Sequence, residues 1–427
     1  MIERYLYSLT RFYFIICLAA ILAGTAWAGG EDDGRRKLTS AKRIVIAESA
    51  AWGVITALAD GSLGLTYQVA TPIEGTNTVH VAMVWVRSTD GGKTWSKPVT
   101  VVDRRGPDGK RFIRRNDGGM IVFEQRNQAL GQLPSGRIVC AMAELDYYCD
   151  KNGKEEKQNF LGSTFQFKQI VYTWSDDMGA TWAPARVLDS RPFGGKHTFE
   201  PYRGASPHWQ IVTLDDGTAM MSLYGSKDPE YKGPVQIPEG TTYMAGVTRS
   251  RDNGETWGDV SLIFSKTSGL PYEETALCLL PGDRLLAHMR TQNHDIMQYV
   301  SEDKGRTWNG PTRVTEGGQQ PGGALRLKSG RLLATWGNRR PPYFGVGAML
   351  SSDNGKSWDY DRRVALAWDH KNANCGYANA AQAGDGSIVV TYYSMDPNAN
   401  DHVGRWSGSK VYAIRFSEEE FIGATGE

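Results

Sequence analysis

Ser88-Thr-Asp90-Gly-Gly92-Lys-Thr94-Trp95 decides the fold, because four further stretches repeat it. They are Ser175-Asp-Asp177-Met-Gly179-Ala-Thr181-Trp182, Ser250-Arg-Asp252-Asn-Gly254-Glu-Thr256-Trp257, Ser301-Glu-Asp303-Lys-Gly305-Arg-Thr307-Trp308 and Ser351-Ser-Asp353-Asn-Gly355-Lys-Ser357-Trp358. The shared pattern is S-x-D-x-G-x-[T/S]-W. Repetition of this kind marks stacked supersecondary units. Each residue has a physical reason to be there. The Asp side chain accepts hydrogen bonds from the N–H groups of its own turn. The glycine admits positive φ, the hydroxyls bond locally, and the Trp brings a large apolar face that must be covered. A calcium loop would need a late bidentate Glu, which the pattern lacks. The aspartates therefore read as structural, Asp176 and Asp177 included.

A second repeat runs in phase with the first. An apolar strand opens around a glycine at Gly61, Gly136, Gly217, Gly282, Gly330 and Gly386. Each of the first five is followed by a Trp turn. The residues after these glycines are apolar and β-prone, as in Gly386-Ser-Ile-Val-Val-Thr-Tyr-Tyr393, and predict strands buried on both faces. Six four-stranded units arranged radially make an all-β, six-bladed β-propeller. It is expected as one domain over 42–420, since the repeat overrides the two or three domains that length alone would allow. Lys42–Ala47 is expected to close the ring against the last blade, beside Lys410–Phe416.

Residues 1–28 read as an export signal: Arg4 and Arg11, an apolar run from Phe12 to Gly24 too short to span a membrane, then Ala26-Trp-Ala28 before the cleavage point. The product is expected to be secreted or periplasmic, with a short linker over 29–41 and a C-terminal tail over 421–427. Loss of Glu3, Arg4 and Arg11 leaves the chain formally neutral, which gives no case for nucleic acid or for membrane contact after cleavage. Cys140 and Cys278 fall within strands and read as buried thiols. Cys149 and Cys375 fall in expected loops, where a disulfide is permissible.

Ligands of such a ring bind where the inner strands begin and end at one face. Counting back from each glycine along a strand places Trp52, Arg126 with Asn127, His208, Glu274, Gln320 and Tyr377 at the strand starts. Counting forward places Asp146, Tyr224, Arg290, Arg339 with Arg340, and Tyr393 at the ends. Polar, charged and aromatic groups thus collect at one end of apolar strands, the composition of a carbohydrate pocket. Each also has a plainer reading. Arg126 can pair with Glu124 or Glu144, His208 can be a hydrogen-bonded structural histidine, and Arg290 can serve as the partner of Glu274, since a buried guanidinium is costly alone.

The Trp turns resemble the Asp-boxes of the sialidase (neuraminidase) superfamily, whose members are six-bladed propellers; the resemblance covers nearly all of the chain after the leader. Glu274 to Arg290 is similar to the sialidase strand that runs from the catalytic glutamate to an arginine of the carboxylate-binding triad. Cys375-Gly-Tyr377-Ala-Asn resembles the loop with the nucleophilic tyrosine, and Arg339 or Arg340 falls near a further triad arginine. The resemblance implies that Tyr377 attacks, Glu274 activates it, and Arg290 with Arg340 grips a sugar carboxylate. A neutral nucleophile suits an anomeric centre that bears a carboxylate, and a phenol needs a neighbouring base.

The departures are specific. Ala51-Trp52-Gly53 stands where sialidases carry an arginine. Tyr67 to Val86 contains no Asp, only Glu74 and His80, so the acid/base is expected from Glu74 or Asp146. The remaining polar groups, Arg126, Asn127, His208, Gln320, Tyr224 and Tyr393, are assigned to substrate binding. The expected function is a retaining, sialidase-like exo-glycosidase for a terminal acidic sugar of a glycan. The alternatives are a non-catalytic glycan binder and a glycosidase for a neutral or deoxy sugar. No cofactor fingerprint and no metal-spaced cluster is present, so neither cofactor nor metal is expected.

Overall fold

The computed structural model describes residues 36–154, 156, 165–194, 205–266, 272–291, 293–341, 343–395, 406 and 408–426. The expected leader 1–28 and residues 29–35 of the expected linker lie outside the described residues. The chain begins with β1 (Arg36–Lys37) and β2 (Lys42–Glu48). Six antiparallel runs follow. The first is β3 (Ala50–Ala57), β4 (Leu63–Pro72), β5 (Val79–Ser88) and β6 (Val99–Val102). After β7 (Phe112–Arg114) come β8 (Met120–Gln132), β9 (Ile138–Cys149), β10 (Phe165–Ser175) and β11 (Arg186–Val187). The third is β12 (Ala205–Thr213), β13 (Ala219–Ser226), β14 (Tyr243–Ser250) and β15 (Gly258–Lys266), and the fourth β16 (Tyr272–Leu280), β17 (Arg284–Thr291), β18 (Ile296–Ser301) and β19 (Asn309–Arg313). The fifth is β20 (Gln319–Arg326), β21 (Leu332–Arg339), β22 (Phe344–Ser351) and β23 (Val364–His370). The sixth is β24 (Cys375–Gln382), β25 (Ile388–Ser394) and β26 (Lys410–Phe416), completed by β2 from the start of the chain. β2 pairs antiparallel with β26, Lys42 opposite Arg415 and Glu48 opposite Lys410.

The Trp turns close the hairpin between the third and fourth strands of the first five runs. In Ser301–Trp308, Ser301 Oγ donates to Asp303 Oδ1 at 2.8 Å and Gly305 N to Ser301 Oγ at 2.8 Å. Thr307 N donates to Asp303 Oδ1 at 2.8 Å and Thr307 Oγ1 to Asp303 Oδ2 at 2.6 Å. The same four bonds recur in the other four turns, with Ser357 in place of Thr in the last.

The turns also interlock the runs. A Cβ added at Gly179 would meet Trp85 of the first run, at Gly254 Val139 of the second, at Gly305 Met220 of the third, and at Gly355 Leu286 of the fourth. At Gly92 of the first run it would meet Val389 of the sixth. The fifth and sixth runs touch where the backbones of Gly337 and Gly376 meet and where Thr335 Oγ1 donates to Ala378 O at 2.8 Å.

The apolar strands are covered on both faces as their composition predicts: β13 and β14 are buried at every position. Val54, Leu130, Trp209, Ala276 and Tyr377, from β3, β8, β12, β16 and β24, lie in one buried cluster. Gly323 of β20 packs against Trp209 and Ala276. The first strands of all six runs thus converge on a common centre, which positions the site.

Three expectations are corrected. Residues 36–37 of the expected linker form a strand, since Arg36 and Lys37 pair parallel with Val364 and Ala365. Most of the expected tail belongs to a helix, α1 (Glu418–Thr425), started by a Ser417/Glu420 capping box and anchored by Phe421, stacked 5.8 Å from Phe416. Cys149 and Cys375 are buried at strand ends and not bridged to each other across loops. Cys149 Sγ lies 3.7 Å from Thr78 Oγ1, and Cys375 Sγ points at the carbonyls of Asn338 and Gly345. Among the described residues no helix is long and apolar enough to cross a membrane.

Candidate active site

Every first strand breaks its pairing register once, in its first half or, in β8 and β12, at its middle. The shifts fall between Ala51 and Val54, Arg126 and Gln128, His208 and Ile211, Glu273 and Thr275, Gln319 and Gly322, and Gly376 and Asn379. In five of these breaks a non-glycine residue adopts positive φ: Trp52 at 51°, Asn127 at 49°, Trp209 at 58°, Glu274 at 42° and Tyr377 at 54°. Such backbone costs on the order of 1–3 kcal/mol per residue and persists only where the surroundings over-determine it, commonly at functional sites. A bulge re-aims a side chain and ends regular pairing. The repeated break therefore turns a set of buried strands into a set of inward-aimed groups.

Three of those groups bond to one another. Tyr377 OH donates to Glu274 Oε1, Arg290 Nη1 donates to Glu274 Oε2 at 2.6 Å, and the same Nη1 lies 3.2 Å from Tyr377 OH. All three groups are buried or half-buried. Burial alone would raise the Glu274 carboxyl, but the Arg290 guanidinium, then His208 and the bonds from Tyr377 and Arg290, hold it below the usual glutamate value. Burial, then the Glu274 charge, pushes the Tyr377 phenol well above its ordinary value. The pair is thus an ionised carboxylate accepting the proton of a neutral phenol, the arrangement a base-assisted nucleophile requires.

Arg339, at the end of β21, lies with its guanidinium carbon 5.3 Å from the centre of the Tyr377 ring. Its Nε donates to Cys375 O at 3.0 Å, while its buried Nη2 has no hydrogen-bond partner among the described residues. Arg340 is the residue the sequence favoured for the acid grip, and the structure places it elsewhere. Its half-exposed side chain pairs with Glu316 at 2.5 Å, because the strand ends at Arg339 and the next side chain turns outward.

The opposite wall is aromatic. Trp52 meets Tyr377 edge-on at 6.2 Å, Tyr393 at 5.0 Å and Trp406 at 5.4 Å. Arg126 lies over the Trp52 ring at 5.5 Å and donates from Nε to Glu124 Oε2 at 3.0 Å, so Glu124 rather than Glu144 is its partner. Asn127 Nδ2 donates to Tyr224 OH at 2.7 Å, and Tyr393 OH to Asn374 Oδ1 at 2.9 Å. His208 is 1% exposed, stacked on Trp209 and edge-on to Tyr224 and Tyr377. Neither of its ring nitrogens has a hydrogen-bond partner among the described residues. Burial, only partly opposed by the Glu274 charge, pushes its pKa down to about 4, so the ring is neutral at neutral pH. His208 is therefore not the hydrogen-bonded structural histidine of the plainer reading. Trp52, Asn127, His208, Trp209 and Tyr377 line a small shared cavity.

Neither expected acid/base joins this set in any contact among the described residues. Asp146 is neutralised by Arg104 at 2.8 Å and Lys168 at 3.4 Å. Glu74 is exposed on the turn between β4 and β5. His294 and Trp406 were missed. His294 bonds to Gln320, and a residue four places past Arg290 in a hairpin turn carries no apolar pattern to mark it. Trp406 lies beyond the strand repeat altogether. A wider cleft of about 730 Å³, lined by Tyr231, Trp257 and charged side chains such as Asp189 and Glu230, holds none of the convergent groups.

A hydrogen-bonded Tyr–Glu–Arg set with a second arginine against the phenol, on strands tied by Asp-boxes, defines a sialidase-like protein. The BNR repeat-like domain family matches residues 157–390, more than half of the sequence, and the BNR/Asp-box repeat matches 86–97; the chain belongs to the BNR repeat-like domain family. It is 25% identical over 236 residues to a sialidase of Paraclostridium sordellii, covering 52% of this chain and 48% of that one. It is 25% identical over 248 residues to a sialidase of Bacteroides fragilis, covering 48% and 40%. The chain thus spans about half the length, or less, of these relatives. Among solved structures, a Dyadobacter fermentans protein of unknown function aligns with a TM-score of 0.63 at 21% identity, over 91% of this chain and 100% of that one. The intramolecular trans-sialidase of Ruminococcus gnavus, solved with oseltamivir carboxylate, aligns with a TM-score of 0.61 at 15% identity, over 92% and 99%. At such identities the similarity is one of fold.

Proposed function

We propose that the protein is a six-bladed β-propeller and a retaining, sialidase-like glycoside hydrolase that removes a terminal acidic sugar from a glycan. The ring rests on the interlocks: each run seats against the one before it, and the first seats against the sixth. One observation carries the chemistry, the contact of the Tyr377 phenol with the ionised Glu274 carboxylate beside Arg290. The names of the sialidase relatives support the same reading. Arg290 and Arg339 hold the sugar carboxylate against the phenol. Tyr377 Oη bonds to the anomeric carbon as its proton passes to Glu274. The glycosidic C–O bond breaks and its electron pair leaves on the aglycone oxygen, which takes a proton from solvent. Water then adds to the anomeric carbon and releases one proton to solvent as the sugar–Tyr377 bond breaks, and the proton on Glu274 restores the Tyr377 hydroxyl. The chain acts outside the cytoplasm if residues 1–28 are removed as an export signal.

The test is a panel of aryl glycosides of sialic, uronic and neutral sugars. Wild type is expected to turn over an acidic member, and Tyr377→Phe to lose roughly 100- to 10,000-fold in kcat with KM little changed. Turnover that survives the substitution removes the mechanism. A second reading, a glycan-binding propeller, is favoured by one observation: Asp146 and Glu74, the acids expected to protonate the leaving group, are engaged or exposed elsewhere. Binding of acidic sugars without turnover of any activated aryl glycoside would establish it.

A further inference from the structure

The acid-binding corner is built around Arg290 and Arg339. Arg290 Nη1 is committed to Glu274 and Tyr377, and Arg339 Nε to Cys375 O. His294 stands at this corner. It follows Arg290 by four residues, in the hairpin that joins β17 to β18. Two bonds from β20 hold it: Gln319 N donates to His294 O at 2.9 Å, and the Gln320 amide nitrogen lies 3.2 Å from His294 Nδ1. Gln319 in turn sits opposite Asn338, the residue before Arg339. His294 has φ 61°, and the next residue, Asp295, is tied to both Thr291 and Arg313. Unlike His208, His294 is an exposed residue.

We propose that His294, steered by Gln320, is a third cation of this corner and takes up a proton when an anionic sugar docks between Arg290 and Arg339. This rests on the acidic-sugar reading above. The Gln320 amide suits both states of the ring. Its N–H₂ faces Nδ1 now, while its buried Oε1 has no partner among the described residues. Half a turn of the amide presents that oxygen to Nδ1–H of the charged ring. Without a ligand, burial, then Arg290 and Arg339, hold the ring below its ordinary pKa, with Asp295 opposing. A carboxylate set between the guanidiniums offsets their repulsion and favours the charged form. Arg340, beside Gly318, pairs with Glu316 and holds that carboxyl below the ordinary glutamate value, so it stays ionised over this range. The bound proton comes from the buffer.

The probe is 2-deoxy-2,3-dehydro-N-acetylneuraminic acid, with binding measured by calorimetry in two buffers of different ionisation enthalpy. Wild type is expected to take up a fraction of a proton and to bind roughly three- to tenfold tighter as pH falls from about 8 to about 6. His294→Asn tolerates the left-handed backbone and still bonds to Gln320, but should bind with no proton uptake and a flat pH profile. His294→Lys should restore the affinity without the pH dependence. Equal proton uptake by wild type and His294→Asn overturns the proposal and leaves the acidic-sugar reading intact. Failure of wild type to bind the probe at all, with the fold intact by circular dichroism, overturns both.

Discussion

Four residues separate the polarity of the site from polarity elsewhere. Arg290 neutralises a buried carboxylate, and removing one partner of such a pair strands the other charge. Arg290→Met should therefore lower stability by about 3–5 kcal/mol, read as a fall in the denaturation midpoint, whereas Arg340→Met, beside a surface carboxylate, should change it by less than about 1 kcal/mol. Glu274 has a depressed pKa in the folded chain. Its contribution is fully present above the ordinary glutamate pKa and is lost as pH falls through the lower folded value. His208 is the inverse case, a buried polar ring whose nitrogens bond to nothing described. A group that stabilised the fold would have partners. His208→Phe keeps the stacking on Trp209 and removes the unmet nitrogens, so its melting temperature should equal or exceed that of wild type. A clear fall would show that the ring has a structural partner.

At the scale of the element, the Asp-box turn does two jobs, and they are separated by comparing its glycine in the second run, Gly179, with Gly136 of the plain hairpin turn between β8 and β9. Gly136 and Gly179 both have positive φ, 93° and 89°. A Cβ at Gly136 would meet nothing within 4 Å, while one at Gly179 would sit 2.0 Å from Trp85 Nε1. Gly136→Ala should cost only the backbone term, about 1 kcal/mol. Gly179→Ala adds a clash with a buried indole and should cost about 2–4 kcal/mol in urea unfolding. Equal costs would mean that the turn is not what locks one run against the next. The bulge is the second recurrent device. Regular strands with the same residues would alternate their side chains between the two faces; the break in register aims Glu274 and Tyr377 at each other from β16 and β24.

For the whole molecule, β2 near the start of the chain shares a sheet with the last strand, β26, and β1 pairs with β23, so its ends are mutually dependent. Removal of residues 36–48 would expose the edge of β26 and uncover apolar surface on the sixth run. The truncated chain is expected to aggregate or to lose cooperative unfolding. A second global property is acid sensitivity. His208, His288 and His370 are all held neutral by burial, each with its pKa pushed down to about 4. The unfolded chain binds protons on these rings below about pH 6.5 and the folded chain does not until about pH 4. Stability from this source is full above about 6.5 and drains as pH falls towards 4, by at most about 3 kcal/mol per ring. A urea midpoint that stays constant over that interval would contradict the burial of these rings.

The sequence by itself determined the repeat, and with it most of the architecture and the addresses of the site. An Asp-box is a local object, with Asp, Gly, hydroxyl and Trp within eight residues, so its four bonds are written in adjacent letters. The glycine-anchored strands have a fixed rise per residue, so counting along them found Trp52, Asn127, His208, Glu274, Gln320 and Tyr377 at the strand starts. What distance along the chain does not encode is which neighbour a side chain meets. The seat of Arg339 against Tyr377 and of Arg340 against Glu316, the pairing of Asp146 with Arg104, the burial of Cys149 and Cys375 without a bridge between them, and the folding of 36–37 and 418–425 onto the body all depend on residues far away in sequence. Tertiary structure decided these, because electrostatics and packing act through space, and a single residue's shift at a strand end turns a side chain from the centre to the rim.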